Sequence, residues 1–141
     1  MLPNWMFNQS AVVPFIKESN EIKVVLITTN SSGKWTIPKG IVETPLSPEE
    51  SAAKEAFEEA GVVGNVSSDC IAEYEYRKWG GHCRVKVFPM EVTRLMDRWE
   101  EMDVRERCII GIPQAMVITK SELKPVLASF RSYMKQSKAF G

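Results

Sequence analysis

Residues 47–61 specify a short helix with both ends set by local chemistry, and that helix carries Glu55, Glu58 and Glu59. Ser47 is a good N-cap, Pro48 suits the first helical position, and Glu50 completes a capping box with Ser47. Gly61 supplies the left-handed residue that ends the helix after Ala60. Ala52, Ala53, Ala56 and Ala60 are small enough to let the helix press closely against a sheet. At 3.6 residues per turn, Glu58 and Glu59 lie about 60° and about 40° around the helix from Glu55. The three carboxylates therefore share one stripe of a rigid element. Clustered carboxylates raise one another's pKa unless a positive charge lies between them. A hard cation such as Mg2+ takes oxygen ligands and shares its shell with phosphates, so metal-assisted phosphate chemistry is the leading expectation. A run of glutamates on a helix is by itself more often a solvated face, and the flanking residues decide between the two.

The flanking residues run Trp35-Thr36-Ile37-Pro38-Lys39-Gly40 and continue to Val62. Gly40, Glu55, Ala56, Glu58, Glu59, Gly61 and Val62 fall in register with a known pattern: Gly, five residues, Glu, seven residues, Arg-Glu, an aliphatic, any residue, Glu-Glu, any residue, Gly, aliphatic. This is the Nudix box, and the chain resembles the Nudix hydrolase superfamily, nearest its diphosphoinositol and dinucleoside polyphosphate hydrolase-like members. Leu46 stands where the pattern has its first glutamate, and Lys54 where it has arginine. Lysine keeps the charge and can pair with Glu58 one turn on, without the two-pronged grip of arginine. The resemblance implies an α/β/α sandwich with a mixed β-sheet and a metal site at Gly40, Glu55, Glu58 and Glu59. It implies catalysis by Glu58, Glu55 and Glu59, with Mg2+ as the cofactor and Mn2+ as the alternative.

At 141 residues the chain has the size of one ordinary domain with a real core, and 1–141 is expected to form one such unit with the box at 40–62. Eighteen basic and eighteen acidic residues cancel, which argues against a dedicated binder of nucleic acid polymers. Cys70, Cys83 and Cys108 form no Cys-x-x-Cys pair, and His82 alone cannot complete a zinc site with them. They read as buried or semi-buried free thiols in a reducing compartment. The first residues lack the basic start and apolar stretch of a signal peptide, and no apolar run has membrane-spanning length. A cytoplasmic protein without a membrane partner is expected.

Strands are predicted over 10–16, 21–29, 34–37, 70–79, 84–92 and 106–112, the last ended by Pro113. Pro38 and Gly40 break regularity before the box, and Gly80-Gly81 marks a hairpin between the fourth and fifth strands. Residues 96–103 read as a loop. A final helix over 122–136, capped by Ser121, buries Leu123, Val126, Leu127, Phe130 and Met134 along one stripe. Strands interleaved with two helices give an α/β fold with a mixed sheet between helical layers.

Lys39, next to the carboxylate cluster, is a candidate to hold a phosphate as a point charge. Arg77, Arg84 and Lys86 are further candidates for substrate binding, with Lys78 adding charge nearby, against the plainer reading of a solvated sheet face. Glu100 and Glu101 are candidates for an additional carboxylate, a role the resemblance carries over weakly. Trp79 and Trp99 suit either base stacking or core anchoring, and His82 beside a turn reads as a surface residue. The function expected is Mg-dependent hydrolysis of a phosphoanhydride in a nucleoside diphosphate-linked or polyphosphate compound, with dinucleoside or diphosphoinositol polyphosphates favoured. Glu58, or a carboxylate of the 100–101 pair, would accept the proton of the attacking water. The alternative is a non-catalytic Nudix-like module that binds a nucleotide or a protein. The partner expected is the small-molecule phosphoanhydride itself, and pairing of two copies through their sheets is compatible with the resemblance without being required by it.

Overall fold

A computed structural model describes residues 6–30, 32–78 and 80–137, the side chain of Met6 excepted. Two long strands, β1 (Met6–Glu18) and β7 (Gly81–Leu95), run parallel at its centre, in register from Met6 opposite His82 to Phe15 opposite Glu91. Every other pairing between two strands, among the described residues, is antiparallel. β2 (Glu21–Thr28) flanks β1 and carries β3 (Trp35–Thr36) and β8 (Arg107–Gly111), while β4 (Lys39–Ile41) pairs with β1. β5 (Val62–Val66) and β6 (Ala72–Lys78) both pair with β7. The sheet is therefore mixed, as expected.

Alternation along the central strands sends side chains into two separate cores. Ala11, Val13, Phe15, Val24 and Leu26 pack with Leu127 and Phe130 on one face. That face is covered by α2 (Ile112–Ile118) and α3 (Lys124–Ser137). Val12, Val25 and Ile27 pack with Ala52, Ala56 and Ala60 of α1 (Pro48–Ala60) on the other. Helices on both faces of one mixed sheet make the α/β/α sandwich. The predicted stripe of the last helix is buried in full, Leu123 through Met134.

Several boundaries differ from the sequence reading. Pro113, expected to end a strand, sits in the first turn of α2, where its missing N–H costs nothing. Ser121 is no side-chain cap; it begins a short 3-10 turn, Ser121–Leu123, that leads into α3. β4 and β5, strands of three and five residues, were not predicted, since each holds turn-forming residues, Gly40 in β4 and Gly64-Asn65 in β5. Trp79, at the end of the predicted 70–79 strand, and Ser31, in the turn after β2, lie outside the described residues. Cys83 is buried and Cys108 half-buried, but Cys70 is exposed; all three are free thiols.

α1 begins and ends as its residues dictate. Ser47 Oγ accepts from the Glu50 N–H, and the Glu50 carboxylate accepts from the Ser47 N–H. Gly61 takes φ 65°, and a Cβ there would lie 2.8 Å from Cβ of Trp99. Gly61→Ala should therefore lower stability by about 2 kcal/mol through left-handed strain and crowding of Trp99, read as a drop in the urea midpoint.

Candidate active site

The close seating of α1 sets the site. A Cβ at Gly40 would fall 2.5 Å from Glu55 Oε1, so only glycine lets the Glu55 carboxyl rest against β4. Ser10 pairs opposite Gly40, and antiparallel partners project to the same face. It is fully buried, and its Oγ has no hydrogen-bond partner among the described residues. One turn along, Glu59 is 7% exposed. Its Oε1 accepts from the Lys39 N–H at 3.2 Å, and its Oε2 lies 3.6 Å from the Arg105 guanidinium.

Glu55 and Glu59 line a cavity of about 500 Å3 with Gly40, and Lys39, Arg77, Lys78, Arg105 and Lys120 line it too. Gln9 and Tyr76 join them, the Tyr76 hydroxyl donating to Gln9 Oε1 at 2.6 Å. The Lys39 ammonium lies 5.3 Å from the centre of the Tyr76 ring, a cation–π contact. Arg105 is held by Glu101 at 2.7 Å and by the Thr28 carbonyl at 3.0 Å.

Burial pushes Glu59 up to about 8, against the pull of Arg105, and its hydrogen bond to Glu55 adds to the rise. Glu55 is raised as well, chiefly by burial, while the same hydrogen bond favours its ionised form. Both carboxyls are thus held toward their neutral forms by burial. Lys39 is lowered by burial first and then by Lys120. Two hard carboxyl donors whose charge is disfavoured by burial, beside an unpartnered buried hydroxyl, fit a divalent cation that would stabilise their ionised forms.

Glu58 is set apart from this pair. Its carboxylate lies 3.3 Å from the Lys54 ammonium, which also lies 3.3 Å from Glu43, and it does not line the cavity. Among the described residues, no three His, Cys, Asp or Glu side chains are gathered so as to hold a metal ion. The structure brings Gly40, Glu55, Glu59, Lys39 and Arg77 together. It places Arg84 and Lys86 elsewhere, lining a smaller cavity with Val42 and Pro48, with Arg84 3.7 Å from Glu75. Glu101 reaches the site only through Arg105, and Glu100 is exposed. Trp99 packs beneath the Arg107 guanidinium, 4.2 Å from its ring centre, away from the cavity, and Trp79 lies outside the described residues. His82 does not line the cavity either.

Tyr76, Arg105 and Lys120 were not picked out from the sequence. Tyr76 carries the one usable signal, since it alternates with Tyr74 along a strand. Arg105 and Lys120 sit on loops distant in sequence, and no spacing rule connects them to the box.

A NUDIX domain model matches residues 6–115. Nudix hydrolase 17, mitochondrial, of Arabidopsis thaliana is 35% identical over 106 residues, covering 70% of this chain and 55% of that protein. Diphosphoinositol polyphosphate phosphohydrolase 3-alpha of Mus musculus is 28% identical over 132 residues, covering 92% of this chain and 79% of that protein. The chain thus spans little more than half the length of the first of these relatives. The crystal structure of the C. elegans Ap4A hydrolase superposes with a TM-score of 0.75 at 20% identity, covering 92% of this chain and 99% of that one.

Two outcomes follow from the buried acid and the glycine. The folded chain holds the Glu59 proton to about pH 8, while the unfolded chain releases it in the ordinary glutamate range. The folded state binds more protons between those limits, so this contribution to stability is full at acid pH and is lost as pH rises through about 8. In chelator the thermal midpoint should fall between about pH 5 and about pH 8, and Glu59→Gln should flatten that slope. Gly40→Ala should leave the fold intact, because the crowded atoms end a flexible side chain, and should weaken Mg2+ binding measured by calorimetry by about tenfold or more.

Proposed function

Because the chain belongs to the NUDIX family, we propose that it is a metal-dependent hydrolase of phosphoanhydride bonds, with residues 1–141 acting as one NUDIX unit. The observation that carries the reading is the Glu55 and Glu59 carboxyls, seated against β4, lining one cavity with Lys39, Arg77, Arg105 and Lys120. A diphosphate has the charge and the size for that space. Glu55 and Glu59 would hold a divalent ion, Mg2+ or Mn2+, joined by Glu58 once it leaves Lys54. When bound, such an ion supplies Lewis-acid neutralisation of the diphosphate oxygens and makes water a better nucleophile.

This chain's own residues supply the remainder. Lys39 and Arg77 grip the non-reacting phosphate oxygens, since positioning and electrostatics dominate this chemistry. Glu58 accepts the proton of the attacking water. Arg105 holds the Glu59 carboxyl in place and is itself anchored by Glu101. Among substrates, dinucleoside polyphosphates and diphosphoinositol polyphosphates are favoured, in keeping with two of the relatives' names and with the basic wall. No helix among the described residues is long and apolar enough to cross a membrane, and three free thiols suit a reducing, cytoplasmic setting.

A second reading, a binding module without turnover, draws on Glu58 lying outside the cavity in the grip of Lys54. One experiment separates the two. Product release is followed over a panel of dinucleoside polyphosphates, diphosphoinositol polyphosphates and nucleotide sugars, with Mg2+ or chelator. Turnover should require the metal and fall by about 100-fold or more in Glu58→Gln, with an unchanged thermal midpoint. Saturable binding of the same compounds with no turnover would establish the binding module instead.

A further inference from the structure

Five basic side chains, Lys39, Arg77, Lys78, Arg105 and Lys120, line the cavity with the carboxyls of Glu55 and Glu59. Arg105 is committed to Glu59, Glu101 and the Thr28 carbonyl. Lys39, Arg77 and Lys78 come from β4 and β6, and Lys120 reaches the same space from the segment between α2 and α3. Like charges drawn to one wall repel each other, a cost that an anion in the cavity offsets.

Lys120 is delivered by a firmly stitched segment. Its N–H donates to the Trp35 carbonyl at 3.3 Å, and Thr119 bridges to Trp35 beside it. Thr119 Oγ1 donates to the Ala115 carbonyl at 2.8 Å, and the Lys124 ammonium donates to the Met116 and Thr119 carbonyls. The linker between α2 and α3 is thereby pinned to the end of β3, beside Thr36 and Ile37, which also line the cavity. The Lys120 ammonium itself pairs with Glu122 at 3.2 Å, and both side chains reach solvent, at 29% and 39% exposure. Such a surface pair is weak and readily exchanged for a better anion.

We propose that Lys120 is a specificity-determining residue that, with Lys39, binds a phosphate group that is not cleaved, so that the cavity selects ligands with at least one phosphate beyond the scissile pair. The inference rests on the hydrolase reading only in naming which phosphates are scissile. The charge count does not depend on turnover. Lys39 approaches the uncleaved phosphate from the side of the carboxylates, and Lys120 from the segment before α3.

The test is calorimetric binding, in Mg2+, of methylene-bridged diphosphate and triphosphate mimics, which resist hydrolysis. Wild type is compared with Lys120→Gln and with Lys17→Gln, an exposed charge at the far end of β1 that controls for net charge. Lys120→Gln should weaken the triphosphate mimic by about tenfold, as expected for one charge-assisted hydrogen bond, and the diphosphate mimic by less than about twofold. Lys17→Gln should change neither. Equal weakening of both ligands, no weakening, or failure of wild type to prefer the longer mimic would overturn the proposal. Selective weakening in a protein that turns over no substrate would leave the subsite standing and remove the hydrolase reading. Turnover with no selective weakening would do the reverse.

Discussion

The seating of α1 on the sheet is the constraint from which the site follows. Ala52, Ala56 and Ala60 are each fully buried and bring the helix axis close to Val12, Val25 and Ile27. At that distance the first glutamate of the cluster meets β4, and only glycine at position 40 leaves room for it. The same approach buries Glu59, and burial raises its pKa. A larger residue on the alanine face would move the helix outward, and both carboxyls would regain water. The chemistry is thus a consequence of packing: the alanines desolvate the acids, and desolvation is what makes a cation welcome there.

The far end of the helix is held with equal care. Gly61 turns the chain, and Arg107 donates to the Ala60 and Met96 carbonyls at 2.9 Å and 3.0 Å. A cation from β8 thereby serves one helix carbonyl, that of Ala60, at a last turn of α1 that has no basic residue of its own. The loop from 96 to 106 is drawn against the helix, since the Glu101 N–H donates to the Glu58 carbonyl at 3.1 Å. That contact brings Glu101 within reach of Arg105, and Arg105 within reach of Glu59. Of the two downstream acids, Glu101 touches Arg105 rather than lining the cavity, and Glu100 is exposed.

What could be read in the sequence follows from how local each determinant is. The box helix was legible to the residue, because a capping box, a helix-opening proline and a left-handed glycine act within one turn of the chain. The last helix was legible through its apolar spacing, and β1 and β7 through runs of Val and Phe. β4 and β5 were not, since Gly40 in the one and Gly64-Asn65 in the other read as breaks, and α2 was hidden behind a proline that reads equally as a strand stop or a helix start. Gly40, Glu55 and Glu59 fall in one motif, and Lys39 immediately precedes it. Arg105 and Lys120 arrive by tertiary folding alone. Arg84 and Lys86 alternate with the buried Val85 and Val87, but periodicity cannot say which part of a face borders a cavity.

The two departures from the family pattern meet at one point in space. Leu46 offers no carboxylate, and Lys54 offers a flexible ammonium in place of a planar fork. Yet Lys54 lies between two acids, Glu43 on the loop and Glu58 on the helix. Glu43 is fixed in turn: its N–H donates to Ser51 Oγ at 3.0 Å, and its carbonyl accepts from the Leu46 N–H. A carboxylate three residues before Leu46 has therefore taken up the partnership that lysine needs. Because Glu43 and Lys54 are half-exposed, the arrangement contributes little to stability. Its effect is on direction. An ammonium pulled from both sides fixes where Glu58 points, and a lysine gives up an acid more easily than a bidentate arginine would. For Glu58 to act as proposed beside Glu55 and Glu59, a cation's charge would have to outweigh that of Lys54.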